Sequence, residues 1–222
     1  MPSEHPLLYT YRRCPYAMRA RMALLHAGLR FDAHEISLRD KPPALLRASP
    51  KGTVPVLVLP DGEVIEQSWD IIRWALTHPQ ARPEAGPWWA LANTMPNLQR
   101  LQANDTAFKH HLDRYKYPER FGATTPSDLV RDRASNREQA MTLLRDWEEP
   151  LRAQPYLGGQ TPCATDLAIF PFVRQFAAVD PAWFDGLPLP GLQRWLQHWL
   201  GCPLFQRCMI KLPTNQVVAF EG

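Results

Sequence analysis

Cysteine is scarce in this chain. Four residues, at positions 14, 163, 202 and 208, are scattered in a way that makes no disulfide framework. A reducing cytosol is the expected compartment, and the first residues lack the basic-then-apolar pattern of a secretory leader. No apolar run approaches the roughly 20 residues of a membrane-spanning helix. The formal net charge is only +3 and is spread along the chain, which gives no case for nucleic acid as a partner. Internal repeats and low-complexity segments are also missing. What is present is 45% hydrophobic residues in a length of 222, enough for two modest domains with real cores. The 23 prolines are dispersed among Trp and Leu, as capped helices and turns require and disorder does not.

The chain is organised around residues 13–25. Residues 6–11 read as a short buried strand, and an amphipathic helix follows with Met18, Met22 and Leu25 at helical spacing. Pro15 suits the first helical position, where its missing N–H would have no partner. Cys14 then takes the N-cap. A thiol there faces free backbone N–H groups and the positive end of the helix dipole, and both favour the thiolate. Arg12 and Arg13 add positive charge. Cysteines so placed titrate at roughly 3.5–7.5 rather than about 8.5. The position three residues on, where a second redox cysteine would sit, holds Ala17, so an internal disulfide in the motif is excluded.

Farther along, residues 15–27 form the first helix, closed at Gly28. Strands are expected at 31–37 and 54–59, a short antiparallel partner at 63–66 after Asp61-Gly62, and helices at 42–48 and 68–77. This is a βαβ unit followed by αββα over residues 1–78. Residues 79–87, rich in proline, read as a linker. Residues 88–222 read as all-helical: one long helix to Tyr115, kinked at Pro96, a second from Thr125 to about Arg152, a strongly apolar one from Asp166 to Ala178, and shorter ones at 192–200 and 202–210 before an irregular tail. The fold class is thus α+β, an α/β domain preceding a helical one.

Four motifs in order then resemble a known family: Cys14-Pro15-Tyr16-Ala17, Lys41-Pro42, Gly52-Thr53-Val54-Pro55-Val56-Leu57, and Gln67-Ser68 with Ile71. They are similar to the glutathione-binding half of a cytosolic glutathione transferase. Within that superfamily the first motif is most similar to the cysteine-dependent Omega class, and more distantly to monothiol glutaredoxins. The resemblance implies a thioredoxin-like N-terminal domain, a helical C-terminal domain, a homodimer, and glutathione as cosubstrate with no metal. It implies that Pro15 and Tyr16 flank the glutathione site beside Cys14. Pro55 would be a cis-proline that turns the Val54 backbone toward the bound tripeptide, which pairs with it like an added strand. Gln67 and Ser68 would hold the γ-glutamyl end, with Ser68 opening a helix whose N–H groups bind anions. Lys41 would pair with the glycyl carboxylate, and Leu38 would line the same side. Two departures stand out. Gln67 replaces the glutamate common before that serine, and Cys163 stands where a Ser or Thr cap is usual, three residues before Asp166.

Other residues carry competing readings. Cys163, Cys202 and Cys208 read as structural thiols. His110 and His111 are adjacent on a helix, face apart, and read as surface rather than metal ligands. Phe108 and Tyr115, in an aromatic and basic run, are either one wall of a second-substrate pocket or part of a half-exposed helix. Trp147, Trp195 and Trp199 read as core, and Arg174 as paired with a buried acid such as Asp166. The activity expected is that of a glutathione-dependent thiol transferase or reductase acting on a small disulfide, with Cys14 as nucleophile. The alternatives are conjugation of glutathione to an electrophile, activated by a hydroxyl among Tyr9, Thr10, Tyr11 and Tyr16, and a non-catalytic binding or regulatory protein that keeps the fold.

Overall fold

The computed structural model describes residues 4–220. By internal contacts the chain divides into two units, residues 1–90 with 201–222, and residues 91–200.

The first unit is a mixed sheet with helices on both faces, a thioredoxin-like arrangement. In chain order it holds β1 (Leu7–Thr10), α1 (Pro15–Ala27), β2 (Phe31–Glu35), α2 (Pro43–Ala48), β3 (Val56–Val58), β4 (Val64–Ile65) and α3 (Ser68–Thr77). β1 and β2 run parallel, while β3 and β4 are antiparallel to their neighbours. α1 and α3 pack together. Tyr9, Ile36, Leu45 and Val56 form a separate buried cluster that includes the side of α2. Gly28 ends α1 at φ 69°, and two backbone bonds, Gly28 N–H to Leu25 and Leu29 N–H to Leu24, close the helix.

From the sequence, the chain after residue 210 is expected to be an irregular tail of the helical half. Instead it returns to the first unit, where a final strand adds to the free edge of β2. The sheet order becomes β4-β3-β1-β2 followed by that strand, Val217–Phe220, antiparallel to β2. Phe220 is buried against Phe31. Burial of one such ring is worth ~1.5–3 kcal/mol, so the strand needs its hydrogen-bonded register as well.

The second unit is helical. α4 (Ala85–Ala92) leads into it, followed by α5 (Met95–Ala103), a π-helical turn (Asn104–Phe108), α6 (Lys109–Lys116), α7 (Pro126–Ala153), α8 (Ala164–Ala177), α9 (Pro181–Asp185) and α10 (Pro190–Gly201). The one long helix expected over 88–115 is therefore broken. Pro96 does not kink a continuous helix. It sits in the first turn of a new one whose N-cap is Thr94. α7 begins with the expected Thr125–Asp128 capping box. Phe108, Trp147, Phe176, Trp195 and Trp199 are all buried. α8 starts after Cys163, and its buried Asp166 accepts four N–H bonds, from the Leu157, Gly158 and Cys163 backbones and the Trp195 indole. Arg174 is not among its donors. It is half-buried near the surface instead, beside Asp185 and Leu196. After α10 comes α11 (Pro203–Cys208), which packs on α1 in the first unit, and then the closing strand, β5.

Candidate active site

Cys14 occupies the N-cap of α1 with extended backbone, φ −76° and ψ 123°, and Pro15 follows in the first turn. Its N–H donates to the Tyr11 carbonyl at 2.9 Å, closing a turn, and its own carbonyl accepts Met18 N–H at 2.9 Å. The side chain makes no capping bond to the helix. The thiol donates instead to the Val54 carbonyl at 3.6 Å, and the Val54–Pro55 peptide bond is cis. Two opposing influences meet at this sulfur. The helix N-terminus favours the thiolate, whereas a carbonyl accepting the S–H favours the thiol. Whatever displaces the thiol from Val54 removes the influence that favours its protonated form.

The neighbouring cations are tied down. Arg13 donates to the Tyr11 hydroxyl, and the Arg12 guanidinium to the Met209 carbonyl. Ser68 is buried at the first position of α3, and its hydroxyl accepts from Arg19 Nη1 at 3.4 Å. Arg19 is itself fully buried and lies over the Tyr16 ring, 5.1 Å from its centroid. Lys41 lies beside Gly52, whose φ is +58°. A Cβ at 52 would come within 3.3 Å of the lysine Nζ. Gln67 and Leu38 are exposed, the latter by 53%.

Cys14, Val54 and Pro55 are thus in mutual contact or adjacent in the chain. Tyr16 and Ser68 meet through Arg19, and Lys41 adjoins the loop that leads to Val54. All lie in the first unit. Glu66, one residue before the expected place for an acid, is engaged elsewhere. Its carboxylate accepts from Ser49 and from Lys51, and these two bonds hold its pKa below the usual range. The Ser68 hydroxyl is instead partnered by a buried cation, Arg19.

Arg19 and Glu35 were missed from the sequence. The available signal was a pair of arginines, Arg19 and Arg21, in the middle of a helix made mostly of Met, Ala and Leu. Both are completely buried. The pair of aromatic candidates in the second unit divides. Phe108 has no exposed surface and packs against Trp147 and Phe176, so it is core and offers no face to a ligand. Tyr115, also buried, borders a cavity of about 280 Å³ together with Arg133, Arg137 and Asp180. His110 and His111 bond separately, to Arg114 and to Asn136.

Comparison with known proteins adds to this geometry. The family described as "Glutathione S-transferase, N-terminal domain" matches residues 13–78, and "Glutathione S-transferase, C-terminal domain" matches residues 128–198. A mouse glutathione S-transferase omega-1 is 25% identical over 182 residues, spanning 81% of this chain and 70% of that protein. A probable glutathione S-transferase of Nicotiana plumbaginifolia is 24% identical, spanning 96% of this chain and 91% of that protein. Among solved structures, a glutathione transferase family member from Pseudomonas fluorescens with two glutathione bound superposes with a TM-score of 0.76. It is 19% identical and is covered over 92% of its length by 93% of this chain. A glutathione transferase from Pseudomonas putida with glutathione disulfide bound gives 0.73 at 20% identity, covering 93% of this chain and 91% of that one.

Proposed function

Because the chain belongs to the cytosolic glutathione transferase superfamily, we propose that it is a glutathione-dependent thiol transferase with Cys14 as its nucleophile. The observation that carries this reading is the placement of the Cys14 sulfur at the N-terminus of α1, 3.6 Å from the carbonyl that precedes the cis-proline. Glutathione lies along the Val54 backbone as an added strand. Its cysteinyl N–H takes the Val54 carbonyl in place of the Cys14 thiol, which leaves the helix terminus as the dominant influence on that sulfur. The γ-glutamyl carboxylate meets Ser68, the free N–H groups of α3 and the positive field of Arg19, while Gln67 serves the glutamyl ammonium. Lys41 pairs with the glycyl carboxylate, and Leu38 lines that side.

The chemistry is two exchanges at sulfur. The Cys14 thiolate attacks the glutathione sulfur of a mixed disulfide. A Cys14–glutathione bond forms, and the other thiol leaves as thiolate and takes a proton. A second glutathione thiolate then attacks the glutathione sulfur of this adduct, releases glutathione disulfide and restores the Cys14 thiolate. Ala17 supplies no internal resolving thiol, so the second glutathione is needed. Of the four hydroxyls that conjugation could use, Tyr9 and Thr10 are buried, while Tyr11, which accepts from Arg13, and the half-buried Tyr16 leave that second reading to the assay. The thiol-transferase reading carries a homodimer in the cytosol acting on a small disulfide without metal.

The test is a side-by-side assay of disulfide reduction, dehydroascorbate reduction and conjugation of an aromatic halide. The two reductions should exceed conjugation. Conjugation as the dominant activity would overturn the proposal.

A further inference from the structure

Beneath the Cys14 turn lies a buried charge cluster that glutathione chemistry does not use. Glu35 ends β2 and is 7% exposed, and its Oε1 accepts the Arg12 backbone N–H at 2.6 Å. That N–H belongs to the same turn that Cys14 closes onto Tyr11. Arg21, completely buried on α1, faces the other oxygen of Glu35 at 3.8 Å. Burial pushes the Glu35 carboxyl up and the Arg21 guanidinium down, and each charge is supported by the other.

The cluster is completed from the far end of the chain. Arg12 Nη1 donates to the Met209 carbonyl at 3.5 Å, and Arg21 Nη2 to the Ile210 carbonyl at 3.1 Å. Asn215, at φ 58°, donates its N–H to the Glu35 carbonyl at 2.8 Å and accepts the Ser37 N–H on its side chain. The Phe220 ring of β5 lies under Arg21, 5.2 Å from the guanidinium carbon. Residues 209–220 thus run from Arg12 and Arg21 to the edge strand, as a strap.

We propose that Glu35 is a positioning residue for Cys14, and that the returning C-terminal strap completes its action by holding Arg12 and Arg21 in place. This rests on Cys14 being the nucleophile. A charge-assisted bond to the Arg12 N–H fixes the turn between β1 and α1. That turn sets where the Cys14 sulfur stands relative to the free N–H groups of α1. If the turn loosens, the sulfur moves off the helix terminus and less of it is thiolate at neutral pH.

The rate of Cys14 alkylation by iodoacetamide, followed by peptide mass spectrometry at fixed neutral pH, reads this directly. Glu35→Gln removes the charge but leaves an oxygen for the Arg12 N–H. Glu35→Ala removes both. Phe220→Ala loosens the strap in the full-length chain and leaves every charge in place. Thermal melts check that each variant folds. Alkylation in Glu35→Ala should be slower than in Glu35→Gln by on the order of fivefold, the rate equivalent of one neutral hydrogen bond. Phe220→Ala should also be slower than wild type. Equal rates in the two Glu35 variants, or an unchanged rate in folded Phe220→Ala, would overturn the proposal. Should Glu35→Ala not fold, Phe220→Ala decides it. Alkylation reports on the sulfur alone, so this outcome is separate from whether Cys14→Ala retains turnover.

Discussion

Replacing Ser68 by alanine probes the anion end of the proposed glutathione site. Ser68 opens α3, is 6% exposed, and has its hydroxyl 3.4 Å from Arg19 Nη1. Toward a bound γ-glutamyl carboxylate the same hydroxyl becomes a donor. A hydrogen bond to a charged group is worth ~1.5–3 kcal/mol. At ~1.4 kcal/mol per decade, its loss corresponds to a rise in Kd of ~10- to 150-fold. Two features pull the value to the low end. The N–H groups of α3 remain, and the Arg19 guanidinium stays in place to attract the carboxylate. We therefore expect about a tenfold weaker complex. Calorimetric titration with S-methylglutathione, which cannot form a mixed disulfide, measures it without turnover. A thermal melt should fall as well, because the hydroxyl accepts from the buried Arg19, so affinity is compared at a temperature where both proteins are folded. A Kd within about twofold of wild type, ~0.4 kcal/mol, would refute the assignment of Ser68 to the carboxylate.

Gly52→Ala should lower the melting temperature and weaken glutathione binding together. The residue sits at φ +58°, where an L side chain costs ~1–2 kcal/mol. Its Cβ would also meet Leu46 Cδ2 at 3.0 Å and Lys41 Nζ at 3.3 Å, displacing the lysine. Unchanged stability and affinity would contradict the role given to this close approach. Cys163 should resist alkylation in the native protein even at mildly alkaline pH. Burial and then the neighbouring Asp166 charge push its thiol up to about 12, so it stays protonated and shielded. Labelling of Cys163 as fast as that of Cys14, read by peptide mapping, would sink this prediction.

The α/β half was legible because its signals are local. Pro15 after Cys14, Gly28 after an apolar helix, and Asp61-Gly62 between two apolar runs each fix a helix end or a turn within a few residues. The capping box at Thr125 and Asp128 is of the same kind. β5 was not legible, although Val217–Phe220 is as long as β1 and longer than β3 and β4, which were. Its pairing partner, β2, lies far back in the sequence, and nothing near it in the chain reports a free sheet edge. The break before Pro96 was misplaced for a related reason. A proline fits the first turn of a helix as well as it kinks one, and only the packing around it chooses. For the proposed site, motif spacing nominates Cys14, Val54, Pro55 and Ser68. It does not nominate Arg19 and Glu35, since their roles depend on burial and on partners across the sheet or in another helix. Phe108 misled because an aromatic at helical spacing looks the same facing a ligand or facing Trp147.

The central claim is that the Cys14 sulfur carries glutathione through a mixed disulfide. Incubation with glutathione disulfide, followed by intact-mass measurement and peptide mapping, tests it directly, with disulfide-reductase turnover measured on the same samples. The account predicts one glutathionyl adduct, on Cys14, removable by reduced glutathione, and predicts that Cys14→Ala loses both the adduct and the reductase activity. An adduct on another cysteine, or full reductase activity in Cys14→Ala, would contradict it.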